Sequence, residues 1–284
     1  MSPAKPPAVR VVTDSTASLP PGDHPALSVV PLQVLVGDET FLEGVDMSPD
    51  DVADRIGSGQ RVTTSQPTPH ALVQAYEAAA RAGARSIVSI HLSGDLSGTV
   101  HAAALAATRS PVPVRVVDSR TVAMGLGFAA LAAADSAAAG GTVDEVARRA
   151  IAVADSSRAI FMVDSLEHLR RGGRLGAAAA ALGTVLGVRP LLAVRDGRIE
   201  VIQKVRTRSA AVERLVHVAV ESVERRAEPE LAVHFLGDDT AATEVAERLL
   251  DETGVRAAVT PVSAVVGAHA GPGVLAIVVA DRAT

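Results

Sequence analysis

Between Val9 and Ala139, short apolar segments alternate with longer alanine-rich ones, and few architectures accept that order. A strand, then a helix, then a strand returns the chain parallel to itself, which predicts a parallel sheet with helices on both faces. Val9–Thr13, Ser86–His91 and Pro113–Val117 read as the buried strands. Ser28–Val36 and Glu39–Val45 alternate around Gly37-Asp38 as a hairpin would. Ser48 opens a helix with Pro49 at its first position and Asp51 three residues on, an N-cap signature, and Gly57 ends it. Further helices run from Thr68-Pro69 to Gly83, from the loop after His91 to about Arg109, and through 121–139.

After Gly140-Gly141 the pattern changes. Thr142 and Glu145 form a capping box for the next helix. Ala159–Val163 is a strand, Leu166–Arg171 a short helix, and Gly172-Gly173 a break before an alanine-rich helix. Pro190–Val194 and Arg198–Val205 flank Asp196-Gly197, a strong hairpin signal. The helix from Ser209 carries one apolar stripe, and strand 231–236, helix 240–252, strand 255–262 and strand 274–280 follow. The fold class expected is α/β in two domains. A parallel-sheet α/β/α unit occupies 1–152, and an α+β unit with a mixed or antiparallel sheet occupies 153–284.

In open parallel sheets ligands bind beyond the carboxyl ends of the strands, where Asp14, Ser15, Ser93, Ser97 and Asp118 all fall. The richest such stretch is Ser86–Ala103, a strand that breaks into hydroxyls and glycines before an alanine-rich helix. Ser93, Ser97 and Thr99, with the free N–H groups of that helix, suit an anion or a carboxylate. A second hydroxyl cluster, Thr63-Thr64-Ser65-Gln66-Pro67, lies upstream and is expected to face the same point.

Composition narrows the classes. Aromatics are 2% of the chain, Trp is absent and the net charge is −5, which argues against nucleic acid. Zero cysteines exclude disulfides and thiolate chemistry. The histidines show no metal-ligand spacing, so no metal site is expected. Gly125-Leu-Gly127-Phe-Ala-Ala130 matches a relaxed dinucleotide fingerprint but lies beyond the strand-to-helix turn, and close helix packing explains those glycines better. No phosphate-binding Gly-Lys-Ser/Thr loop occurs, so the chain itself carries no ATP site. The N-terminus has no apolar signal segment, and the longest apolar run, Leu175–Val188, is short of a bilayer span. A soluble cytoplasmic protein is the expectation.

The order and spacing of several short motifs resemble the DegV family, the fatty-acid-binding subunits of bacterial fatty acid kinase. They are Val12-Thr-Asp-Ser-Thr16, Thr64-Ser-Gln-Pro67, Leu96-Ser-Gly-Thr99, Val117-Asp-Ser-Arg120 with Met124-Gly-Leu-Gly127, Ser165–Arg174, Arg189-Pro-Leu-Leu192, Val205-Arg-Thr-Arg208 and His269-Ala-Gly-Pro-Gly273. The resemblance covers nearly the whole chain. It implies a DegV/EDD-like fold, and a long-chain fatty acid held between the two units, the second covering the acyl chain. Its carboxylate would lie at Thr64, Ser65, Ser97, Gly98 and His269, held by neutral groups rather than by an arginine pair. The residues alone leave His269 in a tight glycine-flanked loop, where backbone can approach a ligand.

The resemblance further implies a separate ATP-dependent kinase subunit as partner, with Arg206, and with it Arg170 and Arg174, serving docking or ligand transfer. It implies no catalytic residue and no cofactor in this chain, and it allows transient membrane contact. Two rivals stay open: a Ser-dependent acyl hydrolase acting through Ser97, and a lipid chaperone or sensor with no kinase partner.

Overall fold

The computed structural model describes residues 7–175 and 189–283. The expected alanine-rich helix after Gly173 lies outside the described residues. The described residues form three sheets. β1 (Val9–Asp14), β2 (Leu27–Val30), β6 (Ser86–His91) and β7 (Val114–Asp118) form an all-parallel sheet in the order β2-β1-β6-β7. β8 (Arg158–Met162), β9 (Arg189–Arg195), β10 (Arg198–Val205), β11 (Pro229–Phe235), β12 (Ala257–Pro261) and β13 (Leu275–Asp281) form a mixed sheet ordered β10-β9-β8-β13-β11-β12. β3 (Gln33–Val36), β4 (Glu39–Leu42) and β5 (Val62–Ser65) make a small antiparallel sheet.

The two large sheets share one helical layer. α4 (Met124–Ala138) and α5 (Val143–Ser156) lie between them, touching β1 and β6 on one side and β13 on the other. Eleven residues of α4, from Met124 to Ala137, are buried, which is what a helix covered all round requires. Alanine and glycine supply that layer because both sheets must approach it closely. The glycine at 127 abuts the carbonyl of Ala17, so it is a packing residue. α2 (Pro69–Arg81) and α3 (Thr99–Ala107) cover the far face of the parallel sheet. α7 (Arg208–Val223) and α8 (Thr240–Thr253) cover the far face of the mixed sheet. α6 (Glu167–Arg171) and α9 (Ala264–Ala270) lie near α1 (Pro49–Gly57) and the small sheet.

Both expected capping boxes form, Ser48 with Asp51 and Thr142 with Glu145. Asp196 and Gly197 both take positive φ, 48° and 83°, as the β9–β10 turn needs. The expected strand over 28–36 differs. It breaks at Pro31, its first half pairing parallel with β1 and its second antiparallel with β4 and β5. Proline lacks the N–H that a continuous ladder needs, so the chain turns there from one sheet to another. Residue 152 falls inside α5. No helix among the described residues is long and apolar enough to cross a membrane.

Candidate functional site

A cavity of ≈ 380 Å³ lies between the carboxyl edge of the parallel sheet and the inner face of the mixed sheet. Thr16 and Leu92 reach it from beyond β1 and β6, and Ala159, Phe161, Val194, Ile199, Ala276 and Val278 form its floor. The walls are mostly aliphatic, and the polar side chains converge at one end. There the cavity is lined by Thr64, Ser65, Gln66, Ser97, Gly98, Arg174 and His269 together.

Each is placed by an identifiable device. Thr64 and Ser65 end β5, a strand that the hydroxyl cluster did not announce. Ser97 precedes α3, its Oγ bonded to Thr99 Oγ1 at 2.9 Å and accepting from Thr99 N. Gly98 is the N-cap of α3, and a Cβ there would lie 2.2 Å from Gln66 Oε1. Its lack of a side chain lets the two hydroxyl loops touch through Gln66. His269 stands in the last turn of α9 rather than in a loop. The glycines that suggested a loop are partly helical: Ser263 caps the helix, and Gly271, at φ 79°, ends it.

The ring of His269 is bonded through Nε2 to Thr64 Oγ1 at 2.8 Å. Its other side lies against Gly172, where a Cβ would sit 2.2 Å from Nδ1. Thus the Gly172-Gly173 break seats the histidine. Burial, and then the neighbouring charge of Arg174, push the His269 pKa down to about 4, so the ring is neutral near pH 7.

Arg174 enters the cavity wall, which places a cation where only neutral groups were expected. Its Nε donates to Leu96 O at 2.9 Å and its Nη1 to Gly172 O. Among the described residues no carboxylate pairs with it, so a half-buried positive charge faces the polar end. Arg170 lines neither this cavity nor its neighbour; it stands on α6, 3.5 Å from Glu167. Arg206 is exposed after β10, without an ion pair or hydrogen bond among the described residues. Arg208 is held by Asp164 at 2.9 Å.

A second cavity of ≈ 160 Å³ lies across the Thr64–His269 pair and shares Thr64, Arg174 and His269 with the first. Gln60, Arg61, His168 and Arg171 add to its wall. Arg61, Arg171 and Arg174 make this the electropositive approach to the polar end, while burial holds the His168 imidazole, like that of His269, below its ordinary value.

Most of the other polar residues at strand ends build the loops instead. Ser93 Oγ donates to Gly197 O at 2.7 Å, fastening the β9–β10 turn over the cavity. Asp118 accepts from Gly94 N, and Ser15 donates to the buried Glu43. Glu43 in turn accepts from Val265 N at 2.7 Å, which anchors the start of α9; burial pushes its pKa up. Asp14 Oδ2 accepts from Leu92 N and lies 2.9 Å from His91 Nδ1, and His91 Nε2 lies 2.8 Å from Ser89 Oγ. That chain has the order of a hydrolytic triad, yet all three residues are fully buried and none lines the cavity. Among the described residues no group of side chains is arranged to hold a metal ion.

The family model described as "Uncharacterised protein, DegV family" matches residues 8–282. A DegV domain-containing protein of Streptomyces coelicolor is 47% identical over 278 residues, covering 96% of this chain and 99% of the relative. One of Mycobacterium tuberculosis is 41% identical over 276 residues, covering 95% and 96%. Among solved structures, a DegV family protein of Thermus thermophilus described by its fatty acid binding superposes with TM-score 0.89 at 31% identity, covering 96% of this chain and 99% of that one. The Bacillus subtilis DegV, described as a fatty acid binding protein, gives 0.87 at 32%, covering 96% and 98%. This chain belongs to the DegV family.

Proposed function

We propose that the protein binds a long-chain fatty acid in the ≈ 380 Å³ cavity and presents its carboxylate to a separate ATP-dependent kinase subunit, which forms the acyl phosphate. The observation that carries the reading is the polarity of the cavity. Aliphatic walls lead to one end where Thr64, Ser97, His269 and Arg174, which pairs with no carboxylate among the described residues, meet. Such a volume is of the size small-molecule pockets take, about 300–1,000 Å³. A chain of ~16 methylenes, at ~0.8 kcal/mol each, contributes at most ~13 kcal/mol on burial, which suits retention through purification. The relatives of Thermus thermophilus and Bacillus subtilis, described as fatty acid binders, support the ligand.

The carboxylate would accept from the Thr64 and Ser97 hydroxyls, with Ser65, Gly98 N–H and His269 completing its surroundings and Arg174 balancing its charge. The smaller electropositive cavity leaves that end approachable by an anionic phosphoryl donor. Arg206, exposed and without an ion pair among the described residues, and Arg170 on α6 would serve the partner protein. The chain would act as a cytoplasmic carrier without catalysis of its own. Two units, 1–152 and 153–284, would contribute the carboxylate loops and the acyl floor. Hydrolysis by Ser97 finds no support, because its Oγ is bonded to Thr99 and the cavity histidine to Thr64.

The test is extraction of the purified protein with organic solvent and mass spectrometry of the lipid, followed by incubation with a kinase subunit and ATP. A stoichiometric acyl chain that becomes acyl phosphate is the expected result. Protein that neither carries nor takes up a fatty acid would sink the reading. Bound lipid that is never phosphorylated would leave a carrier without a kinase.

A further inference from the structure

The outer face of the mixed sheet carries arginines that the fatty-acid reading does not use. Ile160 of β8 stands opposite Ala193 of β9, and both side chains lie in the core under α7. Two residues back along β8, the same register brings Arg158 opposite Arg195 on that same face. Arg195 is in turn paired with Arg198 of β10. Three arginines thus stand in one row across strands spaced about 4.8 Å apart. Ala159 and Phe161 point into the cavity, so Arg158 points away from it, at the end of β8 remote from Met162.

The flank of α7 adds to the row. Arg214, Glu221 and Arg225 follow one side of the helix and the turn after it. Burial pushes the half-buried Arg158 guanidinium down. After burial, the charges of Arg195, Arg225 and Arg214 push the same way, and Glu221 opposes them. Arg198 is answered by Asp95 at 2.9 Å, and Arg214 donates to Gln203 Oε1 at 2.8 Å. Glu221 is shared between His217 at 3.4 Å and Arg225 at 4.0 Å, and Glu200 on β10 acts on Arg198. Among the described residues, neither Arg158 nor Arg195 has a side-chain hydrogen bond or an ion pair. Like charges directly opposite each other in a sheet cost stability. A chain of net charge −5 has carboxylates enough to avoid that cost, yet none is placed on this pair.

An anion that answers two adjacent guanidinium groups needs more than one charge and several acceptor oxygens. A phosphate monoester near pH 7 brings about −1.5 to −2 and three oxygens, and guanidinium forks take such oxygens two at a time. A carboxylate would balance one arginine and leave the other. We propose that Arg158 and Arg195, with Arg225 and Arg214 on the flank above them, bind a phosphate group. The proposal is independent of the fatty-acid reading, because none of these residues lines either cavity of the functional site.

The experiment melts the full-length protein at pH 7.5 and constant ionic strength while chloride is replaced by inorganic phosphate or pyrophosphate. A second arm sediments it with vesicles of phosphatidylglycerol or of phosphatidylcholine. Phosphate or pyrophosphate raises the wild-type melting temperature if the group is free in solution. Retention on phosphatidylglycerol alone, without that rise, identifies a lipid headgroup as its source. In either arm Arg195→Gln weakens binding at least ~10-fold, and Arg158→Gln with Arg195→Gln abolishes it. Arg109→Gln, an exposed arginine after α3, leaves it unchanged. Should the double variant fail to fold, the exposed Arg195 position decides alone. Binding that survives in the variants belongs to other arginines and overturns the proposal, as does a wild type that responds to neither anion and neither vesicle.

Discussion

Acidification acts on two buried rings that the fold keeps neutral. Burial, then Arg174, hold His269 at about 4 instead of 6.5, and burial holds His234 at about 4 as well. A histidine depressed in the folded state leaves stability intact above 6.5. As pH falls the unfolded chain takes up a proton that the folded chain refuses, so stability drops between about 6.5 and 4. At 1.36 kcal/mol per pH unit, each ring costs about 3 kcal/mol once that window is crossed. The two together are a large share of the ~5–15 kcal/mol that stabilises a typical domain. Glu43, raised by burial, opposes the trend, so one substitution is needed to isolate one ring. His269→Gln keeps an amide near Thr64 but cannot titrate. Urea unfolding of lipid-free wild type and variant from pH 7.5 to 4.5 reads the difference. The wild type loses about 2–3 kcal/mol more than the variant over that range, falling toward one extra proton taken up on unfolding. Parallel stability curves for the two proteins would refute the assignment of a buried neutral ring at 269.

Replacing Thr64 and Ser97 together by Ala weakens fatty acid retention at least ~10-fold, since each hydrogen bond to a charged group is worth about 1.5–3 kcal/mol; unchanged lipid occupancy with unchanged melting would show that the acyl chain alone sets binding. Arg206→Ala leaves melting and lipid occupancy as in the wild type, because the side chain is exposed and has no partner among the described residues, yet abolishes acyl-phosphate formation with a kinase subunit and ATP; full phosphorylation by the variant would remove its docking role.

Much of the fold was legible because local rules fixed it. The capping residues Ser48 and Thr142, the Asp196-Gly197 turn and the strand–helix alternation all act within a few residues. The break at Pro31 was not legible in this way. Both halves of 28–36 alternate like strands, and only the sheet each one joins tells them apart. α9 was hidden for a related reason: a seven-residue helix rich in glycine has little intrinsic propensity, and it is stabilised from outside, by Glu43 at one end and the 168–172 segment at the other. For the site, the hydroxyls and His269 stood out by type and position. Gln66 and the inward turn of Arg174 did not, since Gln66 matters through its fit against Gly98 and Arg174 through carbonyls at 96 and 172. Those contacts are properties of distant chain segments brought together, for which no single window of sequence carries a sign.

The layer formed by α4 and α5 has a mechanical meaning. A ligand cavity between two sheets is commonly pictured as a cleft that widens when its halves swing apart. Here the halves have an inner wall in common: Leu126 and Ala133 of α4 and Val146 and Ala150 of α5 belong to one continuous core with Val11 and Ile90 on one sheet and Phe161 and Ala276 on the other. Swinging the sheets apart would pull that wall away from one of them and wet a largely aliphatic surface. Exchange of the proposed ligand would then take place at the rim, where α6, α9 and the Gly172-Gly173 loop meet over the polar end, with the frame closed.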